Sequence, residues 1–145
     1  MYNHNKNYII NGSWGLKDYK YQTNNSKKKI YSKFKNSFSF EQRICETSRI
    51  SNLHPDRIPV ICEKSSYSDV PDISKHKYLI PLDLTIGEFI FVIRKNIKLQ
   101  SYEALFLMIN DIIPSTTMRF NELYWNYKDP DGFLYIVYTK ENTFG

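Results

Sequence analysis

The segment TIGEFIFVIRKNIKL is the feature of this sequence that most constrains its fold. Thr85 and Glu88 have the spacing of a capping box, in which each residue's side chain bonds the backbone N–H of the other at the start of a helix. Apolar residues then recur at helical intervals and share one face: Ile86, Phe89, Ile90, Ile93 and Ile97. The spacing therefore predicts an amphipathic helix over 85–97.

Two strands are predicted ahead of this helix. Residues of RIPVICEK at 57–64 alternate between two faces, with Ile58, Val60 and Cys62 on one and Pro59, Ile61 and Glu63 on the other. Pro59 has no N–H to donate, which favours an edge position or a gap in pairing. KYLIPL at 77–82 indicates a second strand, and SSYSDVPD at 65–72 is typical of a loop. The two strands should form a hairpin.

The residues after the helix predict two more strands and a short helix. ALFLMIN at 104–110 is typical of a short buried strand, and the turn-prone DIIPSTT follows it. KDPDG at 128–132 predicts a turn, and FLYIVYT at 133–139 is too continuously apolar for a strand with one solvated face. The short helix is indicated by Phe120, Leu123, Tyr124 and Tyr127.

Two helices are predicted before the first strand. In SFEQRICETSRISNLHP, Ser39 and Gln42 can cap the start of a helix and Pro55 stops it, so we predict a helix over 41–52. A further set of apolar residues has the spacing of a short helix that could dock onto the domain: Tyr31, Phe34 and Phe38.

The predicted order is two helices followed by ββαβαβ. This order describes an α+β fold of the ubiquitin-like β-grasp type, with a hairpin, a helix that crosses the sheet, and the last strand placed centrally in a four-stranded mixed sheet. Other α+β domains share the same elements, so the order permits this fold without requiring it.

The positive charge of the chain is concentrated near its N-terminus. The net charge is +5, but residues 1–40 hold eight Lys and one acidic residue, hence +7, while the other 12 basic and 14 acidic residues give −2. We predict a flexible basic leader over 1–29, one folded domain with its N-terminal helices over 30–140, and an exposed tail over 141–145. The leader's lysines and tyrosines could contact RNA or an anionic membrane.

The sequence contains no recognisable catalytic or metal-binding set. His4, His54 and His76 lack a ligand spacing, so we expect solvated histidines. Cys45 and Cys62 are too few for a disulfide framework and lie in no CxxC motif, which indicates a reducing compartment. Cys62 should face the core. We therefore expect a protein that is not an enzyme and uses no cofactor or metal. No apolar run approaches the roughly 20 residues needed to cross a bilayer.

Five features carry a resemblance to a known family: HPDRIPVICEK at 54–64, KYLIPLDLTIGEFIFVIRKNI at 77–97, INDIIP at 109–114, ELYWNYKDPDGFLYIVYT at 122–139, and the terminal Gly145. In order and spacing, the chain from about Tyr31 onward resembles the autophagy ubiquitin-like modifier family, the GABA-receptor-associated-protein group. The resemblance implies the β-grasp fold and a tag that is not an enzyme.

The first function that the resemblance implies is conjugation to a lipid. Family members are joined through a C-terminal glycine to phosphatidylethanolamine by activating and conjugating enzymes, and Gly145 matches that glycine. Glycine lacks Cβ, so the tail can enter a narrow active site. The implied protein is a cytoplasmic monomer that moves to autophagosomal or other vesicle membranes when lipidated. The outer membrane of a relict plastid, found in some unicellular parasites, is the alternative location.

The second implied function is to bind receptors or adaptors that carry aromatic-x-x-aliphatic motifs. Pro81, near the end of the strand at 77–82, fits an edge that accepts an incoming strand. The positions that match the family's aromatic pocket are Glu46, Ile50, Pro59, Ile61, Lys77, Leu79 and Phe133. Those that match the aliphatic pocket are Tyr78, Ile80, Pro81, Leu84, Phe89 and Val92. The charged rim, which would attract acidic residues beside the motif, matches Arg57, Lys75 and Lys77.

Other interpretations of the same residues stay open. Periodicity alone would place Ile61, Leu79 and Phe133 in an ordinary core, and only the resemblance predicts that they lie at the surface. His76 and Asn96 stand where the family often has basic residues, which makes the rim less positive. The alternatives are a β-grasp adaptor that binds linear motifs without being conjugated, and a nucleic-acid binder that uses the basic leader, a role we do not favour.

Overall fold

The computed structural model describes residues 32–66 and 68–140. Within these ranges the elements follow the predicted order, two helices and then ββαβαβ. The leader 1–29, the tail 141–145 and Tyr31 lie outside the described residues. The elements are α1 (Lys33–Ser37), α2 (Phe40–Leu53), β1 (Arg57–Lys64), β2 (Lys77–Pro81), α3 (Ile86–Ile97), β3 (Phe106–Met108), α4 (Phe120–Tyr127) and β4 (Leu134–Thr139).

Both predicted capping boxes begin a helix. At the start of α2, Ser39 Oγ accepts a hydrogen bond from Gln42 N at 3.1 Å, and Gln42 Oε1 accepts one from Ser39 N at 2.8 Å. Thr85 and Glu88 form the same reciprocal pair at the start of α3. Because a capping box satisfies backbone donors that the first turn leaves unpaired, it fixes where the helix begins. The helices predicted over 41–52 and 85–97 are confirmed.

The four strands form one mixed sheet in the order β2-β1-β4-β3. β1 and β2 are an antiparallel hairpin, β1 and β4 are parallel, and β3 and β4 are antiparallel. The last strand therefore lies in the centre of the sheet and β2 lies at one edge. The predicted α+β class and the four-stranded mixed sheet are confirmed.

Pro59 lies in a central strand, so the edge position considered for it is wrong. Cys62 N donates to His76 O, on the β2 side of β1, at 2.8 Å. Since bonding directions alternate along a strand, the nitrogen of Pro59 faces β4. Pairing with β4 begins one residue later, at Val60. The missing N–H thus falls in a gap in pairing, the other predicted alternative.

The sheet separates two apolar clusters. The main core lies between the sheet and the helices α3 and α4, and it includes Ile58, Val60 and Cys62 of β1. The smaller one, which we call the outer cluster, lies on the opposite face with α1 and α2. Its buried members are Phe34, Ile50, Ile61, Leu79 and Phe133. The alternation predicted for β1 is therefore confirmed.

The short N-terminal helix docks as predicted. Phe34 of α1 is 0% exposed, and Phe38 packs against the outer cluster. At the other end of the domain, the predicted turn at 128–132 leads into β4. Gly132 in this turn has φ +93°, and an added Cβ would lie 2.8 Å from Thr47 Cβ on α2. The turn therefore packs too closely on α2 for any other residue to fit at Gly132 without strain.

Candidate functional site

β2 is an edge strand, and within the described chain it pairs with another strand on one side only. Cys62 N donates to His76 O. In the antiparallel register, Tyr78 and Ile80 likewise direct their backbone N–H and C=O towards β1. Leu79 lies between these two residues and therefore directs its N–H and C=O away from β1. An extended segment could pair with Leu79 and add to the sheet as a further strand.

The side chains of β2 alternate between the two faces of the sheet. Tyr78 and Ile80 belong to the main core, and Leu79 belongs to the outer cluster. A strand added beside β2 would alternate in the same way. Its successive side chains would meet the α2 side and the α3 side of the edge in turn.

The seven residues predicted for the aromatic pocket include four members of the outer cluster, Ile50, Ile61, Leu79 and Phe133. They lie on α2, β1 and β2 and at the residue before β4, and all seven are buried. Ile61, Leu79 and Phe133 are at most 4% exposed, as periodicity alone indicates. Their role in binding a motif stays a prediction. The carboxylate of Glu46, 5% exposed, is paired with Arg49 at 2.6 Å within α2.

The six residues predicted for the aliphatic pocket lie where β2 meets α3. Tyr78 and Phe89 pack edge to face with ring centroids 5.2 Å apart. Burial raises the pKa of Tyr78, whose hydroxyl donates to Lys75 O at 3.0 Å. Tyr78, Ile80, Leu84 and Phe89 are at most 1% exposed, whereas Pro81 and Val92 are half-buried.

The residues predicted for the charged rim differ in exposure. Lys77 is 8% exposed and sits within the aromatic-pocket set. Lys75 and Arg57 are half-buried, and Arg57 Nε lies 3.9 Å from Asp56 Oδ2. Arg57 and Lys75 are therefore the two rim residues that present more than a small part of their surface to water.

Asp131 is a site residue that the sequence did not single out. It lies in the turn before Phe133, and its side chain is 0% exposed. The carboxylate accepts hydrogen bonds from Arg43 Nη1 at 2.5 Å, from Tyr135 OH at 2.5 Å and from Phe133 N at 2.8 Å. Burial, together with the hydrogen bond to Asp131, raises the pKa of Tyr135. Asp131 thus ties the backbone of Phe133 to α2 and β4.

Similarity to known proteins agrees with this geometry. Residues 42–145 match a family model described as "Autophagy protein Atg8 ubiquitin like". The chain belongs to the Atg8 family. It is 55% identical to Autophagy-related protein 8 of Pichia angusta over 114 residues, which cover 79% of this chain and 91% of the relative. For the Candida albicans protein of the same name, the identity is 53% over 114 residues, covering 79% of this chain and 84% of the relative.

A solved Atg8 structure also resembles this fold. The crystal structure of Trypanosoma brucei ATG8 has a TM-score of 0.73 and 43% sequence identity, and the match covers 79% of this chain and 99% of that one. The resemblance to the autophagy ubiquitin-like family and the β-grasp fold are therefore confirmed. Gly145 falls within the residues matched by the family model and outside those that the structure describes.

The cysteines and histidines of this Atg8-family chain differ in burial. Cys62 is buried as predicted, and burial raises the pKa of its thiol, whereas Cys45 is exposed on α2. His54 is exposed beside α2, and His4 lies outside the described residues. His76 has a side chain only 13% exposed with Nδ1 3.1 Å from Cys62 O, so the prediction of a solvated histidine is wrong there.

Neither a metal-binding cluster nor a membrane-spanning helix occurs in the part of the chain that the structure describes. Residues 32–66 and 68–140 contain no group of three or more His, Cys, Asp or Glu side chains placed to hold a metal ion. None of the helices in those ranges is long and apolar enough to span a bilayer.

Proposed function

We propose that this Atg8-family chain is a ubiquitin-like modifier, joined through Gly145 to phosphatidylethanolamine, that recruits proteins with aromatic-x-x-aliphatic motifs to the modified membrane. The observation that carries the recruiting role is the edge strand β2, with the backbone of Leu79 directed outward and one apolar cluster on each face. Conjugation is supported by the family match, which includes residue 145. The proposed organisation is a basic leader over 1–29, the domain over 30–140 and the tail over 141–145.

In the proposed complex the motif adds to β2 as another strand. The aromatic and aliphatic residues of the motif are three positions apart, and an odd separation places them on opposite faces of a strand. The aromatic residue would therefore enter the outer-cluster side, and the aliphatic residue would enter between β2 and α3. Arg57 and Lys75 would attract acidic residues beside the motif, chiefly increasing the association rate.

Binding requires side chains to move, because the pocket residues bury one another. An aromatic side chain removes about 150–250 Å² of its own surface from water when it is buried. At about 25 cal/mol per Å², the free energy gained by this burial would offset the cost of modest shifts of the pocket side chains.

The proposed conjugation begins with activation of the Gly145 carboxylate and continues as a series of acyl transfers at its carbonyl carbon. The carboxylate attacks the α-phosphate of ATP, giving an acyl adenylate and pyrophosphate. A cysteine thiolate of the activating enzyme then displaces AMP, and the acyl group passes to a cysteine of the conjugating enzyme. The amine of phosphatidylethanolamine finally displaces that thiol and forms an amide. Glycine is the least hindered residue for each of these attacks.

We expect reconstitution to show conjugation directly. When the full chain is incubated with the family's activating and conjugating enzymes, ATP and phosphatidylethanolamine vesicles, its intact mass should rise by one phospholipid less one water. Gly145→Ala should remain unmodified. An established family modifier run in parallel is the control. If that control is lipidated and this chain is not, the conjugation proposal is wrong.

The cellular location of the same variant separates a conjugated modifier from an unconjugated adaptor. A chain tagged at its N-terminus should mark autophagosomal membranes, or the outer membrane of a relict plastid, and should be found in the cytoplasm when unlipidated. Gly145→Ala should lose the membrane signal. An adaptor that is never conjugated would keep its location after this substitution.

Peptide titration tests motif binding. A peptide with an aromatic-x-x-aliphatic motif and acidic neighbours should bind the full chain, measured by isothermal titration calorimetry. Alanine at either anchor position should weaken binding about tenfold or more, the loss expected for a residue that fills a pocket. A peptide with both anchors changed to alanine is the control. If it binds as well as the motif peptide, the two pockets do not recognise the motif.

A further inference from the structure

α1 has five residues, too few for a helix that is stable alone. Its conformation must therefore depend on contacts with the domain. Ser32 Oγ donates to one oxygen of Glu63 on β1, and Lys33 N donates to the other at 3.0 Å. Lys35 Nζ pairs with Asp129, in the turn that leads into β4. α1 is thus tied to β1 near its start and to this turn by Lys35.

Between these ties α1 inserts the ring of Phe34 into the outer cluster. Phe34 is 0% exposed and meets Phe133 edge to face, with centroids 5.1 Å apart and planes at 77°. Both rings also contact Tyr135 of β4, at centroid distances of 6.3 and 6.2 Å. The ring of Phe133 therefore packs directly on a ring supplied by α1.

Phe34 is the one buried member of the outer cluster that does not belong to the predicted aromatic pocket. The other four are Ile50, Ile61, Leu79 and Phe133. The hydrogen bond from Phe133 N to Asp131 fixes the backbone of Phe133 but does not set its side-chain torsions. Side-chain packing sets these torsions, and the ring of Phe133 lies closer to that of Phe34, at a centroid distance of 5.1 Å, than to that of Tyr135, at 6.2 Å.

We propose that Phe34 is a positioning residue of the aromatic pocket: docked α1 holds the ring of Phe133 in place for an incoming aromatic side chain. The inference rests on the proposed motif binding. The aliphatic pocket lies on the opposite face of the sheet, in the main core, which does not include Phe34. The influence of α1 is therefore confined to the aromatic residue of the motif.

A double-mutant cycle between Phe34 and the motif tests this coupling. Two peptides, the motif peptide and its variant with alanine for the aromatic residue, are titrated against the full chain and against Phe34→Ala. The wild-type chain should bind the alanine peptide about tenfold more weakly or worse. In Phe34→Ala, the ratio of the affinity for the motif peptide to that for the alanine peptide should fall to about threefold or less, while the affinity for the alanine peptide stays the same. A merely structural role would lower both affinities equally and leave the ratio unchanged.

Two further variants support the comparison. Phe40→Ala truncates a residue that is 43% exposed at the start of α2 and should leave both affinities unchanged. Phe34→Tyr keeps the ring and should keep the wild-type ratio. Thermal denaturation establishes that each variant is folded at the titration temperature.

If Phe34→Ala is unfolded, the double variant Ser32→Ala/Lys35→Met replaces it. This variant removes the side-chain contacts of Ser32 with Glu63 and of Lys35 with Asp129, and it keeps the Phe34 ring. The affinity ratio should therefore fall, by a smaller factor than expected for Phe34→Ala. If the wild-type chain does not distinguish the two peptides, the proposed motif binding itself fails. If it does distinguish them and folded Phe34→Ala, or the double variant used in its place, keeps the wild-type ratio, only the role of Phe34 is overturned.

Discussion

Replacing Asp131 with alanine is expected to lower the free energy of unfolding by about 3–5 kcal/mol, the range for removing one partner of a buried ion pair. The Asp131 side chain is 0% exposed and that of Arg43 is 12% exposed, so the guanidinium would stay largely out of water without its partner. Tyr135 OH and Phe133 N would lose their acceptor as well. Guanidinium chloride denaturation followed by circular dichroism measures the loss.

Asp56→Ala is the control for this substitution. The Asp56 side chain is 77% exposed and its contact with Arg57 is 3.9 Å long, so the expected change is within about 0.5 kcal/mol. The double variant Arg43→Ala/Asp131→Ala should cost less than the sum of its single variants, because the second substitution removes the charge that the first leaves unpaired. A loss for Asp131→Ala no larger than that for Asp56→Ala would contradict a structural role for the buried pair.

The helices and strands could be predicted because their signals lie close together in the chain. Thr85 and Glu88 are three residues apart, and the reciprocal hydrogen bonds of the cap join these two residues only. The position of Pro59 in the sheet could not be predicted from such local signals. Its lack of an N–H is visible in the sequence, but β1 is a central strand because β4, from the far end of the chain, pairs beside it. No local pattern encodes that pairing.

The polar part of the site was harder to predict for the same reason. Aspartate is common in solvated turns, so KDPDG indicated a turn and gave no sign that Asp131 is buried. The groups that compensate its charge, on Arg43 and Tyr135, come from α2 and β4 and share no spacing with it. The one local signal is the bond from Phe133 N to the Asp131 side chain two residues earlier, a pattern typical of an Asx-turn.

The pocket residues could be assigned only through the family resemblance. Hydrophobic periodicity treats Leu79 and Tyr78 alike, as apolar residues of a strand, and the structure has both of them buried. What distinguishes them is that they face different sides of an edge strand. Alternation along the strand predicts the opposite faces, but the position of β2 at the edge of the sheet, where an added segment could reach both faces, is a property of the whole fold.

Phe89→Ala is expected to lower the free energy of unfolding by about 3–5 kcal/mol, the range for removing a large aromatic side chain from a core. Phe89 is 0% exposed and packs edge to face with Tyr78 at 5.2 Å and with Phe120 at 5.3 Å. Its loss would leave a cavity where β2, α3 and α4 meet, and would remove two contacts worth about 0.5–1.5 kcal/mol each beyond area burial. Denaturant titration gives the change in unfolding free energy.

Phe91→Ala is the matched control, since Phe91 lies on the same helix and is 57% exposed, and its expected effect is within about 1 kcal/mol. Equal losses for the two variants would contradict the central position of Phe89 in the core. Phe89 also belongs to the proposed aliphatic pocket. In folded Phe89→Ala, the affinity lost on changing the motif's aliphatic residue to alanine should shrink, while the loss for its aromatic residue should not. Phe34→Ala should give the reverse pattern, because the two rings lie on opposite faces of the sheet.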